Sequence, residues 1–485
     1  MRKKTIAILA VFCMGMLSVT LMFTGCNKKS AQEKVKITGQ AKAGETLDQT
    51  ALRVAKQVAK GKDITLHVLV TWDAPGTALT KLIPDWEKET GVKVKTEPLS
   101  TLEMAQKVNL ELSSGEPEYD IIQYDGYIRK PVIENPGVMN LDPYLEKYPF
   151  DFKGLVNTKA EFWGVADDGS HRALPFYWCN YVYVYRKDLL DNDKEKAAFK
   201  KKYGYEYDVE AITWDKSYKD IAEFFTRDTN KDRKVDLWGT AEMFAPYAAG
   251  DTFMIRYLNY WDNDKPFLAD AKAGTCTLDD KYTLAVFKDL AEIIKKKQII
   301  PEILQTDWAS ILGTFASGRC VLAGQYAPTW MPLQSPKSEF KYSGPDKVGF
   351  IASPGTEGKT RMSQDSGWIS LITKNSKNPE LAYLFILWAA SEKIDRAMAM
   401  TTLHNPIRAA TYKDAEVVKA NPIFESMFRH PEGFYTVPDH LIYEEEQLII
   451  SNAMQALANG DITPDKAVKK IVDEVNAKWA EIKQK

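Results

Sequence analysis

Apolar and polar positions over residues 62–125 switch between two periods. Ile64-Thr65-Leu66-His67-Val68-Leu69-Val70 is a nearly unbroken apolar run, as in a buried strand. Leu79, Leu82, Ile83 and Trp86 then recur at the spacing of one helix face, with Gly91 as the stop. Pro84 interrupts that face and predicts a kink or a late start. Val92 to Glu97 predicts a second strand, Met104 to Leu112 a further helix, and Tyr119 to Tyr124 a third strand. Strand–helix–strand alternation at these lengths predicts a parallel α/β sheet covered by helices. Ligands of such sheets sit at loops leaving the carboxyl ends of strands, here Trp72-Asp73 and Tyr124-Asp125. Upstream, Leu47 to Lys60 predicts a short helix with Leu52, Ala55 and Val58/Ala59 on one face. Downstream, helices are predicted at Lys281 to Lys297, at the strongly apolar Pro379 to Met400 and at the amphipathic Pro464 to Ile482.

One apolar run stands outside this pattern. Ile6 to Phe23 follows Arg2, Lys3 and Lys4 and ends in Phe23-Thr24-Gly25-Cys26, the layout of a secretory signal peptide. A cysteine directly after the cut resembles a bacterial lipoprotein signal, in which Cys26 becomes the lipidated N-terminus. An ordinary cleaved signal and an uncleaved anchor are the alternatives, since the run approaches the roughly 20 residues that span a bilayer. All three readings place the rest of the chain outside the cytoplasm. Residues 1–26 are thus read as signal, and 27–61 as a polar, Lys-rich tether with a short helix.

Composition narrows the function classes. The 485 residues carry a net charge of −2, with both signs interspersed, so nothing attracts the chain to nucleic acid or to anionic lipid. Of the five cysteines, Cys13 and Cys26 belong to the signal. Cys179, Cys276 and Cys320 are too widely spaced for a zinc site and read as buried thiols, with one disulfide as the alternative. Five histidines without an HExxH pair argue against a histidine metal site. No GxSxG elbow, P-loop or zinc-hydrolase signature is present.

Ordered segments across nearly the whole mature chain resemble the extracellular solute-binding proteins of bacterial ABC importers, specifically the large sugar-binding family that includes maltose-binding protein. They are Asp85-Trp86-Glu87-Lys88-Glu89-Thr90-Gly91-Val92, Tyr119-Asp120-Ile121-Ile122 before Asn140-Leu141-Asp142-Pro143, and Ala173-Leu174-Pro175-Phe176 through Arg186-Lys187-Asp188-Leu189-Leu190. Further on come Thr213-Trp214-Asp215, Phe315-Ala316-Ser317-Gly318-Arg319, Gly324-Gln325-Tyr326, Lys374-Asn375-Ser376-Lys377-Asn378-Pro379, Asn405-Pro406-Ile407-Arg408 and Thr463-Pro464-Asp465. The resemblance implies two α/β lobes, each a mostly parallel sheet covered by helices, closing by hinge motion on a ligand between them. Lobe one maps to 62–172 plus 353–400 and lobe two to 176–350 plus 404–485, with Pro175, Ile351 and Thr402 near the hinge. It implies a monomer that hands a carbohydrate or polyol to a membrane permease, needs no cofactor and catalyses nothing.

The loops where the family binds carry aromatic rings for sugar faces and carboxylates or amides for hydroxyls. They are Trp72 and Asp73; Tyr124 and Asp125; Tyr177 and Trp178; Gln325, Tyr326 and Trp330; Asp365, Gly367 and Trp368; and Asn405 and Arg408. Trp72, Trp330 and Trp368 follow a strand or sit in a Gly/Pro loop and are expected on the ligand, whereas Trp86, Trp214 and Trp388 sit on helical patterns and are expected in the core. Asp73 and Asp365 have helix capping as the alternative, and Arg408 a structural ion pair. Asp228, Asn230, Asp232 and Asp236 place oxygens at alternate positions like the start of a calcium loop, though Arg233 replaces the expected glycine and Gly239 the expected glutamate. The rival functions are a sensor on the same fold and a secreted glycoside hydrolase using two of Asp73, Asp125 and Asp365.

Overall fold

The computed structural model describes residues 39–126, 128–157, 160–334, 337–359, 361–402, 404–425, 433–436 and 440–483. The signal segment and Cys26 lie outside the described residues. No helix among the described residues is long and apolar enough to cross a membrane.

Helix α1 (Leu47–Ala59) starts at a Thr46/Gln49 capping box and buries Ala51, Val54, Ala55 and Ala59. This face packs against helix Pro379–Ala389 and against α2 (Ala74–Thr90). Gly39 extends the attachment, its N–H donating to Tyr148 Oη at 2.9 Å. Strand β1 (Thr65–Thr71) pairs in parallel with β2 (Lys93–Leu99) and β3 (Ile121–Asp125), and α3 (Thr101–Ser113) connects the latter two. Pro84 does not delay α2. The helix begins at Ala74, with Pro75 in its first turn where no N–H is needed, and ends at Gly91 with φ 76°. Asp73 is therefore the residue where β1 ends and α2 begins.

Two long strands carry the rest of the sheet. Strand β4 (Ala173–Arg186) is buried along all 14 residues. Strands β5 (Trp238–Ala241), the hairpin β6 (Ala269–Asp270) and β7 (Thr275–Cys276), β8 (Cys320–Tyr326), β9 (Val348–Ala352), β10 (Met362–Ile372) and β11 (Gly433–Thr436) follow. The main path runs β2-β1-β3-β10-β4-β8-β5, with β9 also on β4 and β11 on β10. The first half of β4 pairs with β10, and its second half with β8 and β9. The last part of β10 pairs with β3. These two strands thus join the two ends of the sheet. A register shift between Trp368 and Ile369 interrupts their antiparallel pairing as a bulge does, a device that re-aims side chains. Of the three residues expected near the hinge, Pro175 lies in β4, Ile351 in β9, and Thr402 ends a helix.

The apolar segment from Pro379 to Met400 is two helices, Pro379–Ala389 and Glu392–Thr402, rather than one. Ser391 breaks it, its hydroxyl accepting the Ile394 N–H at 3.5 Å as the second helix starts. Trp86 packs on Phe385 and Trp388, 5.3 and 5.5 Å between ring centroids, and Trp214 is buried as well. Cys179, Cys276 and Cys320 are free thiols.

Candidate functional site

The end of β1 presents Trp72 to solvent, 57% exposed, beside Asp73. Asp73 keeps part of its surface open while protein surrounds most of it. Thr71 Oγ1 donates to its Oδ1 at 2.8 Å and Tyr177 Oη to its Oδ2 at 3.4 Å. Burial raises its pKa to about 6, against the pull of these two donors. Tyr177 stacks on Trp368, 6.2 Å between centroids with the rings 16° apart, and Trp368 pairs with Asp125 across β10 and β3. Tyr124 is buried, and its hydroxyl is pushed up by burial, then by Glu444 and Asp125.

A second group lies along β10 and β8. Gln364 Nε2 donates to Tyr326 Oη at 2.9 Å, and Tyr326 Oη donates to Asp251 Oδ1 at 3.2 Å. Trp308 Nε1 donates to Asp251 Oδ2 at 2.7 Å. Gln325 Nε2 reaches the Trp308 carbonyl at 3.4 Å. Asp251 sits in the first turn of helix Ala248–Tyr260, and Trp308 precedes helix Ser310–Ala316. The two groups converge on β4. The Cys179 thiol is held well above its ordinary value by burial and then by the carboxylates of Asp125, Asp365, Asp73 and Asp251.

Sequence reasoning missed Asp251 and Trp308. An acid inside an otherwise buried helix and a tryptophan among Asp307, Ala309 and Ser310 were the available signals.

Several expected contacts are placed elsewhere. Asp365 pairs with Asn180 and Gly367 with Trp178, so these residues share the face of the crossing strands opposite Tyr177 and Trp368. There Asp365, fully buried, accepts from Asn157 Nδ2 and from Trp178 Nε1, and Trp178 packs edge-on to Tyr412. Trp330 is 0% exposed, its indole against Phe315 at 6.1 Å. Asn405 is buried too. Arg408 donates to the carbonyls of Ala390 and Asp151, both at 2.6 Å, beneath the Phe150 ring. It pins backbone together, and no close ion pair is needed to explain it. Gly367 leaves no room for a side chain, because an added Cβ falls 2.1 Å from Trp163 and 2.4 Å from the Tyr177 carbonyl. Gly367→Ala is expected to lower the unfolding free energy by about 1–3 kcal/mol through overpacking. Urea unfolding checks this, and an unchanged midpoint refutes it.

The loop around Asp228 is closed on itself. Asp228 accepts the N–H groups of Lys231 and Arg233 at 2.6 and 2.7 Å, and Asp236 accepts the N–H and hydroxyl of Thr229, both at 2.7 Å. Asn230 and Asp232 accept from Asp232 and Lys234. Among the described residues, no three His, Cys, Asp or Glu side chains are grouped to hold a metal ion.

The chain belongs to the bacterial extracellular solute-binding protein family, whose sequence model matches residues 71–395. It is 21% identical over 420 residues, 85% of this chain and 88% of the relative, to a probable amino-acid ABC transporter periplasmic-binding protein of Sinorhizobium fredii. Its fold matches the ABC substrate-binding protein Lmo0181 of Listeria monocytogenes in complex with cycloalternan, with a TM-score of 0.69 and 18% identity over 86% of this chain and 100% of that one. A solute-binding protein of Agrobacterium radiobacter K84 in complex with ribitol gives a TM-score of 0.71 and 20% identity, over 85% and 98%. The fold is the two-lobed α/β fold of these binding proteins.

Proposed function

We propose that the protein captures a carbohydrate or related polyhydroxyl solute outside the cytoplasmic membrane and delivers it to an ABC transporter permease. The observation that carries this reading is the exposed Trp72 beside Asp73, backed by the buried Tyr177–Trp368 stack that holds the Asp73 carboxyl in place. A ring face for C–H groups next to a carboxylate for hydroxyls is what a sugar requires. The sugar and the polyol bound by the two structural neighbours support it. The lobes, 62–172 plus 353–400 and 176–350 plus 404–485, close by flexing where β4 and β10 cross. Lipid on Cys26 holds the protein at the membrane. Binding needs no cofactor and makes or breaks no covalent bond.

A thermal-shift screen against monosaccharides, oligosaccharides and polyols tests the proposal, since a ligand that binds only the folded state raises Tm by mass action. A clear rise is expected for at least one hydroxyl-rich compound, and none across the panel refutes the reading. Trp72→Ala is expected to weaken that ligand about tenfold, on the order of 1.4 kcal/mol, with Tm of the free protein unchanged because the ring is exposed. Undiminished affinity removes Trp72 from the site.

A further inference from the structure

Strand β4 changes partners between two neighbouring residues. Asn180 is its last residue in register with β10, opposite Asp365. Tyr181 already stands opposite Tyr326 of β8, and Val182 opposite Ala352 of β9. Three strands are tied to Tyr181 itself, which is fully buried. Its hydroxyl donates to the Gly324 carbonyl of β8 at 2.9 Å. Its own carbonyl accepts two serine hydroxyls, from Ser353 at 3.2 Å and from Ser363 at 3.0 Å. Ser353 directly follows β9, Ser363 is the second residue of β10, and both are buried. A carbonyl oxygen has two lone pairs, and these two hydroxyls match them.

The kind of donor matters at such a point. A backbone N–H is fixed in its peptide plane, so a ladder bond is lost when one strand turns against another. A serine hydroxyl swings about χ1 and about its own C–O bond, so it follows the carbonyl through a rotation. A buried carbonyl left without a donor is costly, and a point of rotation inside a sheet therefore needs donors of the second kind. We propose that Ser353 and Ser363 are positioning residues of the hinge: their hydroxyls hold the Tyr181 carbonyl while β9 and β10 turn about β4, and so restrain the lobes. This rests on the reading above that the lobes flex where β4 and β10 cross, and it names the bonds that restrain the motion. Thr373 supplies the comparison. It directly follows β10 at the other end of the strand, is buried, and donates its hydroxyl to the Tyr119 carbonyl at 2.7 Å, away from the change of partners.

Hydrogen exchange read by mass spectrometry on the full-length, ligand-free protein tests it, because exchange rates report opening equilibria. The reporters are residues 72–77, in lobe one as drawn above, and 307–312, in lobe two, both apart in sequence from 181, 353 and 363. Ser353→Ala and Ser363→Ala are each expected to speed exchange by about twofold or more in both segments, and the double variant by about fivefold or more. The single variants decide the matter even where the double variant does not fold. Thr373→Val loses a bond of the same kind and is expected to leave both segments within about 1.5-fold of the wild type. Faster exchange confined to residues around 181, 353 and 363 assigns the serines a local structural role and overturns the proposal. So does an equal acceleration of both segments in Thr373→Val. Unchanged exchange in the serine variants leaves the carbohydrate reading standing, and a silent thermal-shift screen leaves this test in force, since no ligand enters it.

Discussion

Glu242→Ala is expected to lower the unfolding free energy by about 3–5 kcal/mol, among the largest single-site effects in this chain. Glu242 follows β5 and is 0% exposed. Its carboxylate receives Arg256 Nη2 at 2.7 Å and Nη1 at 3.2 Å, together with the hydroxyls of Tyr218 and Tyr183. Arg256, itself 1% exposed, lies over the Trp214 ring at 4.1 Å. Removing the carboxylate leaves a guanidinium buried with no compensating charge, and burying an uncompensated charge costs more than the pair contributes. The double variant Glu242→Ala/Arg256→Met should therefore recover part of the loss. Urea unfolding at constant m-value measures both. A single-variant loss under about 1 kcal/mol, or a double variant worse than the single, contradicts this account. Arg256 shares its helix with Asp251, so the pair also anchors the wall that carries Trp308.

The sheet's first strands were legible because their burial follows local periodicity. The predicted strand from Ile64 to Val70 differs from β1 by one residue at each end, and the N-terminal helix by one residue. The crossing strands were not legible in that way. Strand β4 is buried on both faces, so alternation does not mark it; its aromatic and β-branched residues suit a strand, but only the family resemblance pointed to a crossing there. The misjudged helix break at Ser391 has the same origin, since apolar residues on all sides of Pro379–Ala389 hide the change of axis. Within the candidate site, Trp72, Asp73 and Tyr326 stood out because they follow or end strands, and Tyr177 because it lies in the segment that carries the family resemblance. Trp330 was misplaced because its Gly/Pro-rich surroundings look like a loop, whereas Ala327–Leu333 is a 3-10 helix that turns the ring inward onto Phe315. Asp251 and Trp308 are 57 residues apart and meet only through tertiary structure, which no local pattern records.

Ligand affinity is expected to rise as pH is raised through about 6, and Asp73 is the reason. Burial favours the neutral carboxyl, so below this value Asp73 is protonated and offers a ligand hydroxyl a weaker acceptor. Above it the carboxylate forms charge-assisted bonds, each worth about 1.5–3 kcal/mol, or roughly ten- to a hundredfold in affinity. The stability of the empty protein should move the other way. The folded pKa of Asp73 lies above the ordinary 3.8, so this group favours folding when protonated, and its contribution is lost as pH rises from about 4 to about 6. Asp73→Asn should therefore bind weakly with no pH dependence in this window, while its unliganded form melts above the wild type at neutral pH. Of the ionisable groups nearby, His404 and Tyr177 do not share this signature. Burial lowers His404, edge-on to Tyr177, to about 3, so it stays neutral throughout, and the hydroxyl of Tyr177 is held well above its ordinary value. Glu444, raised by burial and by Glu445, acts from the Tyr124 side and is untouched by the substitution. Calorimetric titrations and melting curves of wild type and Asp73→Asn at matched pH separate the two effects. A pH-dependent affinity that survives in Asp73→Asn would assign the titration to another carboxylate. A pH-dependent affinity present only in the wild type, with a stability slope that lessens in Asp73→Asn, would fix it on Asp73, since Asp395 and Glu444, also raised by burial, keep part of the stability slope in both proteins.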